Sequence, residues 1–169
     1  VSTPDWVKCA PHSFNQSGNR VAMTKPTIWM RTDLALADIN RHDAKSLVEH
    51  LGISVVDIGP DFVTSSMPVD ERTLQPHGRL HGGASVALAE SVGSLAANLT
   101  LDPAKEIAVG LEINANHVRP VKSGMVYGTA RPEALGRTTQ IWSIRIVDEQ
   151  DRLVCISRLT MAVISVDRQ

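Results

Sequence analysis

The 169-residue chain is 43% apolar and 21% charged, which suits one globular domain and excludes a disordered class, and no apolar run reaches the roughly 18 residues of a membrane span. Seventeen basic residues against eighteen acidic ones leave a net charge of −1, which gives no electrostatic case for nucleic acid. Two cysteines, Cys9 and Cys155, make no disulfide framework, and with neither a CxxC pair nor an HExxH motif no metal is expected.

In chain order, residues 1–28, and Val1 to Ala22 most plainly, mix Pro, Ser, Asn and Gln without periodicity or a signal-peptide core. They read as a disordered or loosely packed extension, with Cys9 and His12 incidental, ahead of one domain over 29–169. A soluble, cytoplasmic protein is the default expectation. Residues 33–51 predict one or two short helices, capped by Asp33 or Asp43, striped by Leu47, Val48 and Leu51, and stopped at Gly52. His42 and His50 fall in polar surroundings and read as solvated. Ile53–Ile58 and Phe62–Val69 flank Gly59-Pro60-Asp61 as a β-hairpin. Pro76, Gly78 and Gly82-Gly83 then punctuate a loop.

The Pro-free, Ala- and Leu-rich run that follows predicts a buried helix over about residues 82–99, ended by Asp102-Pro103. Beyond it the period changes to two: Val109, Leu111, Ile113 and Ala115 alternate with Gly110, Glu112, Asn114 and Asn116 and predict one apolar strand face. Met125–Ala130, Thr139–Val147 and Leu153–Val166 continue as strands, the last with Cys155 in the core. An antiparallel sheet around one long helix is an α+β architecture.

Glu90 is the one acid of that helix. A carboxylate in apolar surroundings costs several kcal/mol unless it is hydrogen-bonded or its pKa rises. Ser94, one turn on, stands on the same face to help. At the helix start, the N–H groups of Gly82 and Gly83 lack partners within the helix, and no side chain stops an oxyanion from approaching them. Gly82 and Glu90 lie eight residues apart. That is about 12 Å of helix, too far for both to reach one carbonyl. If both act on one substrate, one of them comes from a neighbouring copy across a two-fold axis.

The motif Gln75-Pro76-x-Gly78-x-Leu80-His81-Gly82-Gly83-Ala84-Ser85, then Leu88-Ala89-Glu90-Ser91, then Gly110-Leu111-Glu112-Ile113-Asn114-Ala115-Asn116-His117-Val118-Arg119 resembles the PaaI-type branch of the hotdog-fold acyl-CoA thioesterases. The resemblance covers residues about 29–165 and implies a hotdog fold, in which the sheet wraps the helix and dimers join edge to edge, with further assembly into a tetramer. It implies hydrolysis of an acyl-CoA, an aromatic one by preference, with no cofactor because coenzyme A is part of the substrate. Glu90 is then nucleophile or general base, against the alternative of a structurally paired buried acid. Gly82 polarises the carbonyl, Gln75 orients the thioester, and Ser94 assists. His81 either joins the chemistry or simply caps the helix.

For coenzyme A the resemblance points to Gly110, His117, Val118, Arg119 and Pro120, to the turn Leu135, Gly136, Arg137 and Thr138, and to Arg158. Arginine forks suit its phosphates. Two departures stand out: His77 replaces a common aromatic, and the turn runs Leu135-Gly136-Arg137-Thr138-Thr139 where some members have Leu-Gly-Ser-Arg-His. A non-catalytic acyl-CoA sensor, a carrier-protein thioesterase and a hotdog dehydratase using a His–acid pair are the competing readings.

Overall fold

The computed structural model describes residues 27–31, 35–42 and 45–166. The reading of Val1 to Ala22 and the capping roles of Asp33 and Asp43 fall outside the described residues. In chain order the elements are α1 (Leu36–His42), α2 (Leu47–His50), β1 (Ser54–Ile58), β2 (Val63–Pro68), β3 (Leu74–Gln75), β4 (Arg79–Leu80), α3 (Gly82–Leu99), β5 (Glu106–His117), β6 (Met125–Leu135), β7 (Thr139–Asp148) and β8 (Leu153–Ser165).

The small residues of α3 let it lie close beneath the sheet. Leu88, Ala89, Val92, Ala96 and Ala97 are buried, and the helix touches β2, β5, β6, β7 and β8. A Cβ at Gly93 would stand 2.5 Å from Leu159 Cδ2, so a larger residue there would push the buried Leu159 side chain aside. The sheet is antiparallel throughout, in the order β1-β2-β6-β7-β8-β5. Inward residues of its strands (Val63, Met67, Val126, Ala130, Trp142, Ile144, Ile146, Leu159 and Met161) close the core over the helix. This is the hotdog arrangement, with β1 and β5 as its two outer strands.

Several predicted boundaries hold to within a few residues. Gly52 has φ +69 and stops α2: its N–H donates to Glu49 O and the Ile53 N–H to Val48 O, the double bond of a left-handed helix end. The Leu74–Leu80 loop carries a small hairpin that the sequence does not announce, since two-residue strands have no periodicity to read.

Two apolar patterns fail in part. Leu47, expected in the stripe of α2, is 63% exposed. Val109 and Leu111 do not face the core; they are 37% and 63% exposed. A β-bulge between Gly110 and Glu112 inserts Leu111 as an extra residue, and the strand's alternation changes phase there. Ala108 points inward before the bulge, and Ile113 and Ala115 pack inward after it. A strict period of two carried across the bulge therefore puts its first half on the wrong face.

A strap at residues 27–31 closes the far end of the core. Trp29 is 4% exposed, stacks on Trp142 with ring centroids 6.4 Å apart, and donates through Nε1 to Gly59 O. The Met30 N–H bonds to Leu99 O at the end of α3.

Candidate active site

Glu90 sits at the middle of α3, half-buried, with its carboxylate against β5. A Cβ at Gly110 would lie 2.3 Å from Glu90 Oε1, so the acid occupies the space that any other residue would fill. Burial pushes the Glu90 pKa up, and a hydrogen bond with Ser94 pulls the other way. A raised pKa on a half-open carboxyl makes Glu90 a candidate for acid–base or nucleophilic chemistry. Ser94 also reaches Met161 Sδ at 3.9 Å.

The N-terminus of α3 lies about 12 Å away along the axis, at about 1.5 Å per residue. His81 is its N-cap: Nδ1 accepts from the Gly83 N–H at 2.8 Å, and its carbonyl accepts from Ala84 and Ser85. Capping thus occupies Nδ1, and a part in the chemistry, the other reading of His81, would have to use Nε2. Among the described residues, the Gly82 N–H is the first-turn donor for which no hydrogen bond is recorded. A Cβ at Gly82 would stand 2.9 Å from His117 Nε2, so any other residue would have to turn that exposed imidazole aside.

A cavity of about 370 Å³ opens at this helix end, lined by Gln75, Arg79, Gly82, His117, Arg119 and Pro120, with Val118 beside them. Six of the residues named from the resemblance, Gln75, Gly82, His117, Val118, Arg119 and Pro120, thus come together within one chain. Gln75 Oε1 accepts the His77 N–H, which fixes its carboxamide in the β3–β4 turn. Arg119 Nε donates to Leu153 O at 3.2 Å, so the guanidinium is held at the cavity rim. Arg79 was missed in the sequence. It lies between Gln75 and Gly82 in a segment read only as a loop, and the hairpin is what turns it toward the cavity.

The remaining predicted residues lie elsewhere. Glu90 and Gly110 form their own cluster along the helix from Gly82. Leu135, Gly136, Arg137 and Thr138 form the exposed β6–β7 turn, closed by the Gly136 N–H on Thr139 O. That turn borders the end of β8, where Val163 donates to Thr138 O, whereas the cavity borders its start at Val154. Arg158 belongs to a different cavity of about 480 Å³ with Asn114, Glu133, Ile141, Ser143, Ile156 and Ser157. That larger cavity lies away from both Glu90 and Gly82, so size does not mark the site here. One chain brings together neither the acid with the helix-end donor nor the two segments assigned to coenzyme A.

Residues 77–155 match the thioesterase superfamily. The chain is 48% identical over 137 residues to the 1,4-dihydroxy-2-naphthoyl-CoA hydrolase of Escherichia coli, which spans 81% of this chain and 99% of that protein. It is 49% identical over 136 residues to a proofreading thioesterase of Cronobacter turicensis, over 80% of this chain and 98% of the relative. The crystal structure of a thioesterase from Haemophilus influenzae superposes with a TM-score of 0.81 at 48% identity, covering 85% of this chain and 99% of that one. A sheet wrapped on one helix, an acid seated beneath its outer strand and relatives of this similarity over most of both chains agree: the chain belongs to the thioesterase superfamily and is a hotdog-fold thioester hydrolase.

Proposed function

We propose that the protein hydrolyses acyl-CoA thioesters, aromatic acyl groups by preference, at composite sites each built from two copies of the chain. One observation carries the reading: a half-buried carboxyl, Glu90, and an open backbone donor, the Gly82 N–H, sit two helical turns apart on one helix. Two such helices antiparallel across a two-fold axis bring each Glu90 to the partner's Gly82. The name of the Escherichia coli relative supports coenzyme A as the leaving group and an aromatic acyl group. Arg79 and Arg119 line the cavity, and guanidinium forks suit the phosphates of coenzyme A.

In this mechanism the carbonyl oxygen accepts the Gly82 N–H, whose alignment with the helix dipole favours the developing negative charge. A Glu90 carboxylate oxygen attacks the carbonyl carbon, the C–S bond breaks and coenzyme A departs as thiolate, leaving a mixed anhydride that water hydrolyses. With Glu90 as general base instead, it takes the proton of an attacking water and the same C–S bond breaks. Both routes use carboxylate, amide and water alone, so no metal or redox cofactor is required. Two dimers stacked through the outer sheet face, where Ile156 is 44% exposed, would make the tetramer.

Benzoyl-CoA hydrolysis followed by thiol release tests the reading. Glu90→Ala should lower kcat by about 10²–10⁴-fold. Gly82→Pro deletes the N–H at the first helical position, where proline is tolerated and where His81, at φ −69 and ψ 132, already has a compatible backbone. Each variant alone should be inactive, and mixed dimers of the two should regain part of the activity through one intact site. Verified heterodimers without activity would refute the composite site.

A further inference from the structure

We infer that the Asn98 carboxamide ends the pairable stretch of β5, and thereby sets the register in which two copies join, with the two-fold axis at Asn114. The inference rests on the two-copy site proposed above and asks what aligns its halves.

Among the described residues the β5 strand is outermost in the sheet, with β8 as its one strand partner. In an antiparallel ladder the N–H and C=O of one residue point the same way, and the direction alternates along the strand. The Val163 N–H donates to Thr138 O on the β7 side, so Met161, Leu159, Ser157 and Cys155 turn toward β7 as well. Their partners on β5 are Ala108, Gly110, Ile113, Ala115 and His117, whose backbone groups therefore turn to the open edge.

Ala108 shows it directly. Its N–H donates to Asn98 Oδ1 at 2.9 Å and its C=O accepts from Asn98 Nδ2 at 3.1 Å. A side-chain amide, steadied by its own bond from Nδ2 to Ser94 O, takes the place of a partner strand's peptide. Beyond that clamp, four residues remain for pairing: Gly110, Ile113, Ala115 and His117.

Because Leu111 is an extra residue, these four are evenly spaced along the ladder. Antiparallel self-pairing that uses all four joins Gly110 to the partner's His117 and Ile113 to the partner's Ala115, with Asn114 facing the partner's Asn114. Glu90 lies beneath Gly110, and Gly82 lies against His117. The same register therefore sets each acid opposite the partner's Gly82. It also places the β6–β7 turn, through Val163 and Ala108, at the end of the sheet where the partner's Arg119 emerges.

Burial alone cannot hold this register. A slip of two residues keeps every side chain on its own face. It would pair Ala108 with the partner's His117 and Gly110 with the partner's Ala115, and carry Glu90 roughly 6.6 Å off target at about 3.3 Å per residue. Asn98, by occupying Ala108, removes that alternative.

Cross-linking in a Cys9→Ser background tests it. Facing residues at Asn114 belong to a non-bonded pair with Cα atoms about 4.5 Å apart, within the reach of a disulfide. Under mild oxidation Asn114→Cys should give a covalent dimer. Glu112→Cys and Asn116→Cys should not cross-link singly but should do so when mixed. Asn98→Ala should weaken the Asn114→Cys cross-link, create one between mixed Glu112→Cys and Asn114→Cys chains, and lower kcat more than tenfold with the dimer mass unchanged. If Asn98→Ala does not fold, Asn98→Asp, which loses the donor and keeps the acceptor, serves the same comparison. A stable dimer that never cross-links through Asn114→Cys, or an Asn98 variant with the parent's cross-links and turnover, overturns the inference. Complementation of Glu90→Ala by Gly82→Pro is scored separately, and its failure would count against the composite site itself.

Discussion

At the scale of the residue, the role proposed for Glu90 sets stability against chemistry. The folded state raises its pKa, so it holds the proton more tightly than the unfolded chain does. Ionisation therefore penalises the fold once the pH exceeds the unfolded pKa, and the penalty vanishes well below it. Glu90→Gln should accordingly melt above the parent at neutral pH and with it in acid, while hydrolysis collapses; calorimetry at the two pH values checks this. Turnover should follow the carboxylate, falling as the pH drops through a value above that of an ordinary glutamate. Ser94→Ala, which deletes the bond that lowers this pKa, should move the acid limb of kcat/KM further up. Gly110→Ala probes the seat itself. The atom its methyl would meet is the mobile end of Glu90, so the fold should persist and kcat should fall as the carboxylate is pushed aside; a variant with parental turnover would show that the seat does not matter.

At the scale of the element, α3 depends on His81 for its start and on small residues for its seat. Losing an N-cap costs about 1 kcal/mol. His81→Ala should lower Tm and, by loosening the first turn, lower turnover as well. Asn caps as well as any residue, so His81→Asn should restore both if capping is the imidazole's task. A variant that regains Tm without turnover would assign the ring to the chemistry instead. The β5 strand is the other element with a dual part: its bulge brings Gly110 over Glu90 and leaves Val109 and Leu111 exposed beside the open edge.

At the scale of the whole molecule, activity should depend on assembly. If each site needs two chains, specific activity should fall on dilution through the dimer dissociation constant, in step with the mass measured by light scattering. Constant specific activity on verified monomers would contradict the proposal. Among the described residues no helix is long and apolar enough to cross a membrane.

The sequence by itself determined the central helix, the antiparallel strands, the lone acid at Glu90 and the glycines ahead of it, because Pro-free runs of Ala and Leu, alternation of period two and turn residues act locally. It also showed, from helix geometry alone, that Gly82 and Glu90 cannot meet within one chain. Only the tertiary structure decided that Gly110 seats the carboxylate, that Trp29 closes the core on Trp142, that Arg79 lines the cavity and that Asn98 caps the outer strand. Each of these joins residues distant in the chain or follows from a two-residue hairpin, and an inserted residue such as Leu111 leaves the composition of a strand unchanged while reversing which face looks inward. Local patterns specify what an element is; the contacts between elements specify what it touches.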